Sequence, residues 1–66
     1  MKLIINGNET ELSDNLSVSG LLKNLEIEPA RVAVEVNLNI VKKNDFHNCA
    51  LKDGDKIEIV NFVGGG

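Results

Sequence analysis

Only one stretch of this 66-residue chain carries the hydrophobic spacing of a helix, and it is short. Val18, Leu21, Leu22 and Leu25 fall at i, i+3, i+4 and i+7, a single apolar stripe over about two turns. A helix of that length covers one face of a small sheet, which limits the chain to two layers. Ser17 stands at the N-cap position, its hydroxyl able to accept from the backbone N–H of Ser19 or Gly20. Gly20 in the helix interior costs roughly 1 kcal/mol against alanine; a close helix–sheet contact is one reading of it. Glu28-Pro29 ends any helical continuation, because the residue before proline is pushed toward extended geometry.

The remaining apolar residues are spaced as strands. Leu3 and Ile5 share one face of a first strand, Lys2 to Asn6, with Ile4 on the other. Asn6-Gly7 is a strong hairpin signal, since both residues tolerate positive φ. Residues 9–12 then read as a polar edge strand whose charges discourage pairing with another chain. Val32, Val34 and Val36 alternate inward with Glu35 outward, and Asn37-Leu38-Asn39 turns the chain into a short strand at Ile40-Val41. Residues 42–50 are the least legible, with one helical turn expected over 45–49. Gly54 supplies positive φ to a tight turn, and the last strand spans residues 56–63. The expected core is Leu3, Ile5, Val18, Leu21, Leu22, Leu25, Val32, Val34, Val36, Leu51, Ile57 and Ile59.

Strand, strand, helix, strand, short strand, strand is an α+β order. A hairpin cannot join the second strand to the third across the helix, so the terminal strand closes the sheet beside the first, in parallel. That is the ubiquitin-like β-grasp: a mixed four- to five-stranded sheet with one main helix packed on one face. Residues 1–66 read as a single domain with no linker or repeat, ending in a flexible tail at 64–66. A hydrophobic content of 42% excludes a disordered chain. Net charge is -3, the wrong sign for a nucleic-acid binder, and two Phe without Trp or Tyr leave little to stack a base. The single cysteine excludes an internal disulfide framework and, with one histidine, a usual zinc site; it fits a reducing compartment. No apolar run approaches a membrane span and the start does not read as a signal peptide, so a cytoplasmic location is expected.

The informative chemistry lies at Gly64-Gly65-Gly66. At an average glycine usage of about 7%, such a run arises by chance roughly three times in ten thousand. Lacking Cβ, these residues can thread a narrow channel, and the reactive group is then the α-carboxylate of Gly66. A carboxylate must be activated before it reacts, most directly by attack on the α-phosphate of ATP. No phosphate-binding loop is present in the chain, so ATP and Mg2+ are expected in a partner enzyme, with no cofactor bound intrinsically. No intrinsic catalytic residue and no metal site stand out. Cys49 reads as a small apolar residue ahead of a reactive thiol, and His47 as a loop residue.

The segment Asp-Gly-Asp-Lys-Ile-Glu-Ile-Val-Asn-Phe-Val-Gly-Gly-Gly, 53–66, closely resembles the ThiS family, the sulfur carriers of thiamine biosynthesis. Residues 32–37 resemble that family's third strand, and residues 2–7 its first hairpin. The resemblance covers the whole chain; its most specific part is the Phe-Val-Gly-Gly-Gly end. It implies that Gly66 is adenylated by an adenylyltransferase related to ubiquitin-activating enzymes. Sulfur from a cysteine desulfurase or another donor then replaces AMP, leaving a thiocarboxylate, and thiazole synthase takes the sulfur. Many relatives end in two glycines, so Gly64 reads as tolerated spacing. The small subunit of molybdopterin synthase is the neighbouring alternative, though its members are usually longer and often carry prolines before the final glycines. A ubiquitin-like modifier is the alternative of another class.

Alternation on the last strand turns Glu58, Val60 and Phe62 away from the helix, and Ile4 should approach the same outer face. An apolar group there, rimmed by Glu35 and Glu58 and leading into the tail, is the expected partner-binding surface. The other reading of Phe62 is a ring folded over an open edge of the core.

Overall fold

The computed structural model describes residues 1–62. Five strands form one mixed sheet in the order β2-β1-β5-β3-β4, where β1 is Lys2–Ile5, β2 Asn8–Glu11, β3 Val32–Val36, β4 Asn39–Val41 and β5 Lys56–Asn61. The helix α1, Val18–Asn24, lies on one face. The terminal strand pairs in parallel with β1 (Ile4 with Lys56, Ile5 with Ile57) and antiparallel with β3 from Val32–Asn61 to Val36–Ile57. The expected β-grasp closure is therefore present, with five strands.

Both hairpins turn on two residues of positive φ, the turn hand that matches strand twist. Asn6 (φ 48) and Gly7 (φ 83) join β1 to β2, and Asn37 (φ 51) and Leu38 (φ 73) join β3 to β4. Asn39 belongs to β4, so the second turn is one residue shorter than the sequence suggested. Leu38 occupies a conformation that costs an L-residue roughly 1–2 kcal/mol and that glycine accepts freely. The turn after residue 51 is as expected, with Gly54 at φ 88; its N–H donates to Lys2 O at 2.7 Å and Asp53 Oδ1 accepts from Lys2 N at 2.7 Å. The turn is thereby fastened to the start of β1.

The asparagines at the two hairpin turns also clasp β5. Ile59 N donates to Asn6 Oδ1 (2.8 Å) and Asn6 Nδ2 donates to Ile59 O (3.2 Å), extending the ladder where β1 has ended. At the other end Lys56 N donates to Asn37 Oδ1 (3.0 Å), and Asn37 Nδ2 donates to Asp55 Oδ1 (2.9 Å).

Ser17 is the N-cap, accepting from Gly20 N at 3.1 Å. The first helical N–H groups are met from outside: Val18 N donates to Cys49 O and Ser19 N to Phe46 O, each at 3.0 Å. The segment 46–51 is thus built against the helix start. The helix stops at Asn24, before Glu28-Pro29 is reached, because the chain turns left-handed at Glu26 (φ 59). Ile27 N then donates to Leu22 O and Glu26 N to Lys23 O, a Schellman ending with glutamate where glycine is usual. Pro29 instead opens a 3-10 turn, Pro29–Arg31. Gly20 is not explained by contact with the sheet: a Cβ there would meet Leu16 Cδ2 at 3.2 Å.

The core holds Leu3, Val18, Leu21, Leu22, Val32, Val34, Phe46, Leu51 and Ile57. Ile5, Leu25, Val36 and Ile59 pack against it but stay partly exposed, a correction to the expected list. Phe46 is the larger correction. Only 2% exposed, it fills the core from the aperiodic stretch, just after the 3-10 turn Lys43–Asp45, where no hydrophobic pattern could locate it. The expected helical turn at 45–49 is present, Cys49 N donating to Asp45 O at 2.9 Å. The second strand starts and ends one residue earlier than read, with Leu12 outside it and packed on the core.

Truncating Leu22 to alanine should cost roughly 2–5 kcal/mol and Phe46 roughly 3–5, measured by urea unfolding; the half-buried Ile59 should lose less than Leu22. Glu26→Gly should stabilise the domain by about 0.5–1 kcal/mol by relieving the left-handed turn, seen as a higher melting temperature.

Candidate docking face and tail

The strand pairings place the outer face row by row. Ile4 lies between Glu9 of β2 and Lys56 of β5; Glu58 lies beside Glu35, and Glu35 beside Ile40; Val60 lies beside Ala33. Leu3, Val34 and Ile57 point to the opposite, helix-covered face, so alternation puts Ile4, Glu58 and Val60 together on the open one. Val60 is 59% exposed, Glu58 is exposed and Ile4 is half-buried.

Phe62 follows directly after β5. Its N–H donates to Arg31 O at 2.8 Å, which carries the β3 pairing one step past the strand. Half of its surface is exposed, and the Lys43 ammonium stands 5.2 Å from the ring centroid. Lys43 Nζ also donates to Ala30 O at 3.1 Å, so the ring is gripped between β5, the 29–31 turn and the 43–45 turn. Sequence reasoning missed Lys43 because its partner lies nineteen residues away across the fold. It also passed over Leu38 and Ile40 as surface groups, although they are 89% and 75% exposed.

Val63, Gly64, Gly65 and Gly66 lie outside the described residues, and with them the expected threading and modification sites and the end of the last strand. Among the described residues no group of three His, Cys, Asp or Glu is placed to hold a metal ion. Cys49 is partly buried against the core, and His47 is exposed in a turn. No described helix is long and apolar enough to cross a membrane.

A five-stranded sheet in this order, closed by a parallel terminal strand and covered on one face by one short helix, defines the ubiquitin-like β-grasp class. The ThiS family model matches residues 3–66. The sulfur carrier protein ThiS of Bacillus subtilis is 40% identical over 65 residues, covering 97% of this chain and 98% of that protein. A thiazole synthase from Paramagnetospirillum magneticum is 50% identical over 66 residues; this chain spans 20% of its length. The crystal structure of the thiamine biosynthesis protein ThiS from Geobacter metallireducens superposes with a TM-score of 0.87 at 33% identity, covering 100% of both chains. The chain belongs to the ThiS family.

Because Val60 and Phe62 are exposed by half or more, Val60→Asp and Phe62→Ala should each shift the unfolding free energy by less than about 1 kcal/mol. Urea unfolding checks this, and a larger loss for Phe62→Ala would place its ring in the stabilising core.

Proposed function

We propose that this chain is a sulfur carrier of thiamine biosynthesis, acting as a protein co-substrate. The observation that carries this reading is the family match running to residue 66, through the glycine end. The α-carboxylate of Gly66 attacks the α-phosphate of ATP, releasing pyrophosphate and leaving an acyl-adenylate. The persulfide of a sulfur donor then displaces AMP to give an acyl disulfide. A thiol cleaves its S–S bond reductively, itself becoming part of a disulfide and leaving the terminus as a thiocarboxylate, a soft nucleophile that works only where no side chain blocks it. The chain supplies the tail and a grip for its partners; an adenylyltransferase supplies ATP, Mg2+ and the electrostatics. A cysteine desulfurase or equivalent supplies sulfur, and thiazole synthase receives it. The relatives from Paramagnetospirillum magneticum and Magnetococcus marinus support the last pairing, since each is named thiazole synthase and matches this whole chain with a fifth of its own length. These exchanges are assigned to the cytoplasm.

The outer face forms the grip. Ile4, Glu58, Val60 and Phe62 lead along β5 to the residues that must enter an enzyme, so one partner holds face and tail together.

Incubation with ATP, the adenylyltransferase and a sulfur donor should yield a species heavier by the difference between sulfur and oxygen, read by intact-mass analysis. High-mass conjugates to lysines would favour a protein modifier instead. Deleting Gly65 and Gly66 should abolish adenylation with little change in melting temperature. Gly65→Ala should fold normally and react poorly, the methyl clashing in a channel shaped for glycine. Phe62→Ala should weaken binding to both enzymes by about 2 kcal/mol, measured by titration calorimetry.

A further inference from the structure

Asn6-Gly7 joins a reactive dipeptide to a structural duty. An asparagine followed by glycine is the pair most open to loss of its side-chain amide, because glycine sets no Cβ beside the backbone nitrogen that attacks it. No other asparagine of the chain precedes glycine. Both residues are exposed to water, and a Cβ added at Gly7 would meet nothing within 4 Å. Yet the Asn6 amide is engaged at both ends: Oδ1 accepts from Ile59 N at 2.8 Å and Nδ2 donates to Ile59 O at 3.2 Å. The sister hairpin supplies an internal comparison. Asn37 does the same work, accepting from Lys56 N and donating to Asp55 Oδ1, but the residue after it is Leu38. That position has φ 73, where glycine is preferred, and it carries a branched side chain instead.

We propose that Asn6 is a site of spontaneous covalent modification, protected while its amide holds Ile59 and converted when the β1–β2 hairpin opens. The chemistry needs only this chain and water. Gly7 N attacks Asn6 Cγ; the N–Cγ bond forms, the Cγ–Nδ2 bond breaks, and Nδ2 leaves as ammonia with the proton from Gly7 N. Water then opens the five-membered imide at one of its two carbonyls, and nothing is oxidised or reduced. Opening at Cγ gives aspartate. Opening at the main-chain carbonyl gives isoaspartate, with the backbone rerouted through Cβ and Cγ. The closed hairpin opposes this, because ring closure makes Cγ tetrahedral and expels Nδ2, so both atoms bonded to Ile59 must first let go.

Either product spoils the clasp. Aspartate sets a second acceptor oxygen against Ile59 O, where a donor stood. Isoaspartate adds an atom to the backbone of a two-residue turn whose length fixes the register of β1 and β2. The pairing of Ile59 with Val34 of β3 is untouched, so the modified chain still folds, with β5 held on one side only beyond Ile57. Leu38 gains an explanation in the same terms. Glycine there would relieve the turn and create a second labile pair at the second clasp. The inference is independent of the carrier reading.

The experiment incubates the parent and Leu38→Gly in mildly alkaline buffer, folded and unfolded in urea, and follows each asparagine by mass spectrometry of digests. Exchange of nitrogen for oxygen changes the mass, whereas isomerisation at Asp53-Gly54 does not, so the signal is that of asparagine alone. In urea Asn6 should convert first, and Asn37 should join it only in Leu38→Gly. The folded parent should convert Asn6 roughly tenfold or more slowly, since the reacting state is the opened one. The modified fraction, separated by its added negative charge, should melt about 4 °C or more below the parent. Three results each overturn the proposal: equal rates at Asn6 in folded and unfolded chains, another asparagine converting ahead of Asn6 in urea, or a parent-like melting temperature for the modified fraction.

Discussion

The fold depends on how β5 is held. It is the third of five strands, bonded in parallel to β1 and antiparallel to β3, and neither neighbour runs its full length. The gaps are closed by side chains: the Asn6 amide makes paired hydrogen bonds to Ile59, and the Asn37 amide binds Lys56 N and Asp55. Both asparagines hold left-handed turn positions, which few residues other than glycine accept, and glycine has no amide to offer. One residue type therefore serves at each hairpin as turn former and as ladder extension. Without these clasps Lys56 and Ile59 would expose unpaired backbone groups at the points where the neighbouring strands turn away.

The two faces of the sheet divide their tasks along the parity of β5. Ile57 and Ile59 meet the helix layer, and Glu58 and Val60 face out. The inner face is finished by Phe46, whose segment also satisfies the first N–H groups of the helix through the Phe46 and Cys49 carbonyls. Helix start, loop and core are thus built together, while the outer face leaves Glu58 and Val60 exposed.

Much of this was legible in the chain because the controlling interactions are local. Asn6-Gly7, Ser17, Gly54 and the alternation of Val32, Val34 and Val36 each declare their conformation within a few residues. Strand parity likewise placed Ile4, Glu58 and Val60 on one face. Other features were hidden for physical reasons. Phe46 lies in no periodic pattern, and its burial follows from tertiary closure. Glu26 ends the helix without the glycine that normally announces such an ending, and Asn37-Leu38 forms a tight turn without a glycine at its second position. The Lys43 contact with Phe62 joins segments that only the completed fold brings together. The residues of the tail had to be read from composition, since a run of glycines carries no hydrophobic pattern.

That the tail follows in sequence from a strand bonded along both edges has a mechanical meaning. An enzyme gripping the C-terminus, as proposed above, would load the sheet through the end of β5. The ladders to β1 and β3 lie across the axis of that strand, so the load falls on their hydrogen bonds together, in shear, where it would peel them one at a time if the tail hung from an edge strand. Phe62, tied to the Arg31 carbonyl and covered by Lys43, stands at the point where the pull enters the sheet. Under such a load the domain would act as an anchor post, held through the middle of its sheet and not by an edge.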